Sequence, residues 1–429
     1  MYLGIKNSFL ELYLKYTEDT ESAKIYHLWS AISSIGATMS TNMYLPFGPF
    51  KIYPNQYIIL IGPPGAKKTS AINIAKRLVK KYSSVAFAPD DTGGQRQGLI
   101  SAISELAEKA NSSNELKEFF ENFDTLGTQK DKLAPTLYAV AEELRSILGS
   151  TSEDTLTFLI RMFDCASYTY KLKDSEITIE EQLLSILAAT TVDQLNIILP
   201  FAAIGQGFSS RLILAYAHLP YKEIPWPEPL DENIEKELGK VYKFVSKMKG
   251  HFIPTSEVKD YVAQVYKEKP VIADSRFQHY NQRRQTHLFK VAMALCAMEC
   301  RAELKVSDFE TANRILKVTE GYMPDAIGEY GLEPLDRSKQ RIIEFIKSYA
   351  NADIDYGTLR TSMCSEMPVW HFRKAMDELV TANKLNISET ATGNQFGERG
   401  IVSLVLTNAQ KVAQSVIANM IEPPKERLN

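Results

Sequence analysis

Residues 58–70 read Ile58-Ile59-Leu60-Ile61-Gly62-Pro63-Pro64-Gly65-Ala66-Lys67-Lys68-Thr69-Ser70. The apolar run predicts a buried strand, and the Gly and Pro residues after it predict a tight loop that leads into an amphipathic helix. A phosphate-binding loop surrounds its ligand with backbone N–H groups and a helix N-terminus, and it adds a lysine and a hydroxyl. The stretch therefore predicts binding of a nucleoside triphosphate together with Mg²⁺.

The match to the pattern G-x-x-x-x-G-K-[ST] has one departure, because Lys67 stands where the second glycine belongs. A side chain is tolerated there if the backbone φ is already helical. We assign Lys68 to the β- and γ-phosphates and Thr69 to Mg²⁺. The full set of predicted nucleotide-binding residues in the loop is Gly62, Pro63, Pro64, Gly65, Ala66, Lys67, Lys68, Thr69 and Ser70. The alternative is an ordinary Gly-Pro turn between a strand and a helix, with Lys67 as a solvated charge.

Composition and charge are those of a globular protein rather than a disordered or strongly basic one. The 429 residues are 45% hydrophobic and carry a formal net charge of −3, which suits a globular chain of two or three domains without an overall basic footprint. Nucleic-acid contact would then depend on local cations, or on an oligomer that concentrates them in a channel. The four cysteines lack metal-binding spacing. No apolar run approaches the roughly 20 residues that span a bilayer, so we expect a cytoplasmic protein without a membrane partner.

The order of patterns predicts an α/β fold with a mostly parallel sheet. Unbroken apolar runs at 136–141, 183–191 and 211–216 alternate with helical patterns, as in a sheet that is covered on both faces. After residue 335, three helical patterns and two β-like runs have the order of a winged helix. The predicted domains are an N-terminal helical segment 1–50, a P-loop core 51–225, a helical lid 226–330, a winged helix 335–410 and a tail 411–429.

Two adjacent acids, Glu142 and Glu143, follow the apolar run 136–141. Hydrolysis needs one carboxylate that holds the water shell of Mg²⁺ and a second that polarises the attacking water. We assign Glu142 to the metal side and Glu143 to the general base. The alternative is a solvated acidic start of a helix.

Two further residues are candidates for catalysis. Thr191 ends the run 183–191, where a polar side chain would orient the attacking water, although Thr-Thr is common at strand ends. The flexible segment Gly205-Gln206-Gly207-Phe208-Ser209-Ser210-Arg211 brings an arginine to the start of the last apolar run. An arginine presented to a neighbouring subunit's γ-phosphate raises the rate by roughly 10³–10⁵. The alternative is a surface arginine that pairs with a carboxylate.

The order of these motifs resembles AAA+ ATPases, in particular the branch with superfamily 3 viral helicases and minichromosome maintenance helicases. The element Tyr53-Pro54-Asn55 before the loop also resembles phage and plasmid replication ATPases. The resemblance covers roughly residues 1–320 and implies that Arg211 is an arginine finger acting in trans. It also implies that Arg283 or Arg284 is a second sensor of the nucleotide, and that position 67 need not be glycine. The chain departs from the family in Glu142, where Asp is usual, and in Thr191, where Asn is usual.

The same branch inserts a β-hairpin before the first sensor strand. Residues 168–179 alternate polar and apolar side chains around an Asp-Ser turn. Lys171 and Lys173 would lie near its tip, where six copies in a ring would track one DNA strand. The alternative is an exposed hairpin with solvated lysines.

The winged-helix pattern offers a second DNA contact. Its third helix carries or adjoins His371, Arg373, Lys374 and Lys384, but Glu366, Asp377 and Glu378 lie close by. Such a helix either enters a major groove or serves as a packing module.

These expectations together favour an ATP-dependent, ring-forming DNA helicase or translocase of a phage or plasmid replication system, with hexamers as the expected assembly and other replication proteins as further partners. One alternative is an AAA+ helicase loader or initiator. Another is a nucleotide-switched regulator that binds DNA through the winged helix.

Overall fold

A computed structural model describes residues 7–89, 98–105, 136–149, 152–171, 176–179, 182–199, 207–218, 222–268, 272–328, 334–349, 353–389 and 400–405. The chain divides into two compact units, Met1–Ala326 and Ile327–Asn429. Each unit is described by itself.

The described elements follow the chain in this order. The helices of the first unit and its boundary are α1 (Ser8–Tyr16), α2 (Lys24–Met39), α3 (Lys68–Tyr82), α4 (Leu144–Leu148), α5 (Glu153–Phe163), α6 (Val192–Ile198), α7 (Glu232–Val245), α8 (Ser256–Glu268), α9 (Gln278–Met298), α10 (Val306–Glu320) and α11 (Met323–Ile327). The strands of the first unit are β1 (Met43–Phe47), β2 (Phe50–Ile52), β3 (Tyr57–Ile61), β4 (Ala86–Phe87), β5 (Thr136–Ala141), β6 (Tyr168–Lys171), β7 (Glu176–Ile179), β8 (Leu183–Thr190), β9 (Leu212–Tyr216), β10 (Gly250–His251), β11 (Ile253–Pro254) and β12 (Glu303–Leu304).

A five-stranded sheet forms the centre of the first unit. Its order is β4-β5-β8-β3-β9, and every pair of neighbours is parallel. All residues of β3, β5 and β8 are buried, which explains why the sequence shows unbroken apolar runs rather than alternation. The predicted α/β fold with a parallel sheet is confirmed.

The register of the sheet brings three strand ends together. Ile61 at the end of β3 lies opposite Thr190 of β8 on one side and Tyr216 of β9 on the other. Ala141 at the end of β5 lies opposite Ala188 of β8. Because the strands are parallel, the segments that follow them emerge at the same edge of the sheet.

Helix α2 packs against the sheet and against α3. Nearly all of its residues are buried, as expected of a helix enclosed on all sides. Its Tyr26 hydroxyl donates to the carbonyl oxygens of Ile61, at 2.6 Å, and Ala217, at 3.1 Å. Its Trp29 indole donates to Thr319 Oγ1 of α10 at 2.9 Å. Helix α2 thus fixes the ends of β3 and β9 and joins them to the helical part of the unit.

The second unit contains α12 (Pro334–Lys347), β13 (Asp353–Asp355), α13 (Tyr356–Cys364), α14 (Val369–Thr381), β14 (Leu385–Glu389) and β15 (Gly400–Leu404). Its antiparallel sheet has the order β13-β15-β14. The core includes Ile342, Leu359, Phe372 and Leu379. The sequence predicted the three helices and two of the strands; β13 was missed because three residues reading Asp-Ile-Asp carry no strand pattern of their own.

In the part of the chain that the structure describes, no helix combines the length and the apolar character needed to cross a bilayer.

Candidate nucleotide site

The loop between β3 and α3 is shaped by glycine. A Cβ added at Gly62 would lie 2.3 Å from the Tyr26 hydroxyl oxygen and 2.6 Å from the Ala217 carbonyl oxygen, so a side chain cannot be accommodated there. Gly65 has a φ of +82°, in the left-handed region. The loop is closed by a hydrogen bond of 3.3 Å from the Ala66 N–H to the Pro63 carbonyl oxygen. Both glycines are therefore required by the path of the backbone.

Lys67 adopts a left-handed backbone conformation at the start of α3, with a φ of 56° and a ψ of 31°. The helical φ at which a side chain would be tolerated at position 67 is therefore not present. Glycine takes this conformation readily, whereas another residue loses roughly 1–2 kcal/mol. The Lys67 ammonium lies 2.6 Å from Glu21 Oε2. The Lys67 side chain therefore imposes strain on the loop backbone and also ties the loop to Glu21.

Glu21 connects three segments around the loop. One oxygen pairs with Lys67, and the other accepts a hydrogen bond of 3.1 Å from the N–H of Ile224, beyond β9. The hydrogen bond from Lys67, and then that from Ile224, holds the pKa of the Glu21 carboxyl below its usual value. The sequence carried no signal for this contact, since Glu21 belongs to no motif.

Lys68 and Thr69 begin α3 at the end of the loop. The Lys68 ammonium donates to the carbonyl oxygens of Gly62, at 2.7 Å, and Pro63, at 2.9 Å. Partial burial lowers the pKa of this ammonium. Thr69 is half-buried and Ser70 is exposed. The first N–H groups of α3 have no partner within the helix, so this end combines backbone donors, an ammonium and a hydroxyl, the donor set that suits an anionic phosphate.

The two acids lie at the same edge of the sheet. Glu142 and Glu143 directly follow β5 and are both exposed. Strand β8 separates β5 from β3, which puts the acids roughly 10 Å from the loop strand at the usual strand spacing. The Asn73 side-chain amide donates to Glu142 Oε1 at 3.1 Å. Asn73 lies one helical turn after Thr69 and on the same face, so this bond holds Glu142 beside the face that carries Thr69.

Asn73 was not predicted from the sequence. A polar residue on the exposed side of a helix is common, and nothing in the phosphate-loop pattern specifies it. Its role emerges only because the fold brings the first turns of α3 next to the end of β5. The Glu143 side chain, by contrast, makes no capping hydrogen bond at the start of α4, and its carbonyl oxygen accepts from the Ser146 N–H at 3.1 Å.

Thr191 follows β8 and caps a helix. Its side-chain oxygen accepts a hydrogen bond of 3.3 Å from the Gln194 N–H at the start of α6. A hydroxyl that accepts in this way keeps its own proton to donate. Because Thr190 lies opposite Ile61, Thr191 emerges beside the phosphate loop. The structure therefore brings Lys68, Thr69, Glu142, Glu143 and Thr191 to one edge.

Arg211 lies at the opposite end of the sheet. It precedes Leu212, which is opposite Tyr57 at the start of β3, so the length of a five-residue strand, roughly 17 Å, separates it from the loop. Its side chain is only 5% exposed and forms an ion pair with Asp164. The guanidinium pairs with a carboxylate of its own chain, as in the alternative interpretation, but it is buried rather than at the surface.

Arg283 and Arg284 have different surroundings. Arg283 Nη1 lies 3.1 Å from Asp164 Oδ1, with its side chain 30% exposed, so it joins the same carboxylate as Arg211. Arg284 is buried, where it donates to Glu320 Oε1 at 2.7 Å and to Asn313 Oδ1 at 2.8 Å. Arg284 thus links α9 to α10. Of the three predicted arginines, Arg283 is the one whose guanidinium reaches the surface.

The predicted hairpin is present as the antiparallel pair β6 and β7, with Lys171 opposite Glu176. The side chain of Lys171, and the whole of Lys173, lie outside the described residues.

Among the described residues, no three or more His, Cys, Asp or Glu are grouped so as to hold a metal ion. Magnesium at nucleotide sites is held by one or two protein groups, phosphates and waters, which the pair Thr69 and Glu142 fits. No protein-family model matches the chain, and no curated protein matches its sequence.

Proposed function

We propose that this protein hydrolyses ATP with Mg²⁺ at the edge formed by the phosphate loop and the two acids. One observation carries the proposal: α3 begins with Lys68 and Thr69 at the end of β3, and one turn later Asn73 holds Glu142 at 3.1 Å. A Gly-Pro turn without a ligand would explain the loop, but it would not explain a carboxylate held beside the threonine face of the following helix.

Each residue has a role that follows from its position. The loop N–H groups and the Lys68 ammonium would bind the β- and γ-phosphates. Thr69 directly, and Glu142 through water, would hold Mg²⁺, which neutralises phosphate charge when bound. Glu143, exposed and without a partner in the cap of α4, would accept the proton of the attacking water. The Thr191 hydroxyl would orient that water.

We further propose an assembly in which each ATP lies between two copies of the chain. Arg211, Asp164 and Arg283 form one network at the opposite end of the sheet from the loop. Arg283, whose guanidinium reaches the surface, could therefore contact a γ-phosphate only on a neighbouring copy, with Arg211 holding the shared Asp164 in place. This arrangement agrees with the resemblance to AAA+ ring ATPases. A hexameric DNA helicase or translocase is the form we favour, with Lys171 and Lys173 toward a strand in the channel.

A DNA-binding role for the second unit is supported by one specific observation. Two acids near the third helix would weaken a basic surface, but each forms an ion pair within the unit. Glu378 lies 2.8 Å from the Lys339 ammonium, and Glu366 lies 3.7 Å from the Arg341 guanidinium. Trp370 on α14 is 64% exposed. These contacts and the exposed indole favour a winged helix that binds DNA. A nucleotide-switched regulator therefore stays an alternative function. A helicase loader or initiator would share the whole nucleotide site.

ATP hydrolysis is tested with the purified full chain and Mg²⁺. We expect Lys68→Ala to abolish nucleotide binding, and Glu143→Gln to keep binding while lowering kcat by at least about 100-fold. The matched control is Lys240→Ala, which removes an exposed lysine of α7 whose ammonium lies 2.6 Å from Glu237 Oε1. Hydrolysis by Lys68→Ala at the wild-type rate would rule out the site.

The motor is tested by electron microscopy with a non-hydrolysable ATP analogue and forked DNA, where a closed ring around one strand is expected. Strand separation should be lost in the double variant Lys171→Ala, Lys173→Ala. Hydrolysis without strand separation by the wild type would favour a loader. Sequence-specific duplex binding through the second unit, without stimulation of hydrolysis by DNA, would favour a regulator.

A further inference from the structure

A long segment of the first unit contains no carboxylate. Residues 22–89 include no Asp or Glu, although the chain has 52 of them. The same segment has eight lysines and arginines, of which Lys76, Arg77, Lys80 and Lys81 lie in the second half of α3. We call these four residues the basic face. A chain with a net charge of −3 thus concentrates positive charge on the helix that starts at the phosphate loop.

The basic face lines an open groove of about 400 Å³, together with Asn73. Positions 73, 76, 77, 80 and 81 recur at intervals of three and four, so they share one side of the helix. Arg77, Lys80 and Lys81 are exposed, and the side chain of Lys81 is 59% exposed. The groove is therefore accessible to a ligand from solvent.

A buried carboxylate positions two cations of the basic face. Glu235 of α7 lies 3.2 Å from the Arg77 guanidinium and 2.7 Å from the Lys81 ammonium. That carboxylate is itself largely buried, with its side chain 11% exposed. Glu235 therefore fixes the positions of two cations of the basic face, Arg77 and Lys81.

Aromatic rings lie among the cations. The Lys81 and Lys243 ammonium groups lie 5.4 Å and 5.6 Å from the centre of the Tyr82 ring, and that of Lys80 lies 5.3 Å from the centre of the Phe87 ring. Both rings are half-buried. Cations interleaved with aromatic rings are typical of surfaces that follow single-stranded nucleic acid without reading its sequence.

We propose that the basic face binds the phosphate backbone of single-stranded DNA. The inference rests on the proposed function, because it names where the ATPase core would hold the strand that it moves. Lysine and arginine attract phosphates irrespective of base, so binding is independent of sequence and weakens with salt. The same helix carries Lys68 and Thr69 at its start and Asn73, bound to Glu142, in between. A strand on this face would contact the helix that holds the triphosphate.

The test is fluorescence anisotropy of a labelled oligothymidine strand titrated with full-length protein at several salt concentrations. The double variant Lys76→Gln, Lys80→Gln should bind at least about 10-fold more weakly, and the slope of log affinity against log salt should fall by roughly 1.4 for two lost phosphate contacts. The matched control is Lys259→Gln, Lys267→Gln, which removes two exposed lysines of α8. Thermal unfolding establishes that both variants fold.

Equal binding by the variant and its control, or no binding of the strand by the wild type, would overturn the inference. The inference would also be overturned if the variant differed from the wild type only in its oligomeric state, measured by sedimentation. The basic face would then contact another copy of the chain. Absence of ATP hydrolysis in the wild type is a different result: it would remove the proposed function while the anisotropy measurement still decides whether the basic face binds DNA.

Discussion

The Asn73 side-chain amide donates a hydrogen bond of 3.1 Å to Glu142 Oε1. This bond joins the helix that begins at the phosphate loop to the acid that follows β5, which lies two strands away in the sheet. Glu142 and Glu143 are adjacent, yet only Glu142 has this contact. The difference agrees with the assignment of Glu142 to a fixed position at the metal and of Glu143 to proton transfer.

Replacing Asn73 by Ala should therefore lower kcat more than ATP affinity. Loss of one hydrogen bond to a charged group is worth roughly 1.5 kcal/mol, which corresponds to about a 10-fold lower kcat. Steady-state hydrolysis and equilibrium binding of a fluorescent nucleotide measure the two quantities, with Lys240→Ala as the control. Unchanged kcat in Asn73→Ala would show that the contact with Glu142 does not serve catalysis.

The left-handed conformation of Lys67 predicts an ordering of stability. Lys67→Gly and Lys67→Ala both lose the ion pair with Glu21, but only Gly relieves the φ of 56°. We expect Lys67→Gly to be more stable than Lys67→Ala by about 1 kcal/mol. Urea unfolding measures the difference. Glu21→Gln removes the ion pair alone and should have a small effect, because both side chains are partly exposed. Equal stability of the Gly and Ala variants would show that the left-handed backbone at position 67 is not strained.

Local patterns in the sequence were sufficient to predict β3, the loop, α3 and the acids after β5, since each depends on residues close together in the chain. The contacts that complete the site were not predictable in this way. Glu21 and Lys67 are separated by 46 positions, the difference of their residue numbers, and Asn73 meets Glu142 only after a sheet with crossed-over strand order has formed.

Arg211 illustrates the other limit of sequence reasoning. Glycines before it suggest a flexible segment, but its partner Asp164 follows α5, which no local pattern connects with Arg211. Burial of the guanidinium is decided by how α5 and α9 pack around the start of β9. The resemblance to a family supplied a role for the arginine, while its surroundings in this chain could come only from the structure.

Arg211 and Arg283 should consequently differ on substitution. Arg211→Ala leaves a cavity and removes the hydrogen bonds of a buried guanidinium to Asp164 and to the Gly207 carbonyl oxygen, so it should lower the free energy of unfolding by about 2 kcal/mol. Arg283→Ala should cost about 1 kcal/mol or less, because its side chain is 30% exposed. Urea unfolding of the two variants gives the comparison. If Arg283 acts at a neighbouring copy's phosphate, Arg283→Ala should also lose hydrolysis while remaining folded. Similar destabilisation in both variants would contradict the conclusion that Arg211 is buried in the fold and Arg283 is partly exposed.

Two buried histidines should make the first unit acid-labile. Burial lowers the pKa of both His27 and His287 to about 3, whereas an exposed histidine titrates near 6.5. Between these values the unfolded chain binds more protons than the folded one, so stability is lost as pH falls below about 6.5 and continues to fall toward 3. From pH 7 to pH 5 we expect a loss of about 2 kcal/mol for each histidine.

Urea unfolding at the two pH values measures this loss, and the variant His27→Gln isolates one contribution. The His27 ring nitrogen Nε2 lies 2.7 Å from Thr20 Oγ1, a contact that a glutamine side chain can replace without titrating. His27→Gln should therefore lose about 2 kcal/mol less than the wild type between pH 7 and pH 5. An identical pH dependence in the variant would show that His27 becomes protonated in the folded protein near its ordinary pKa.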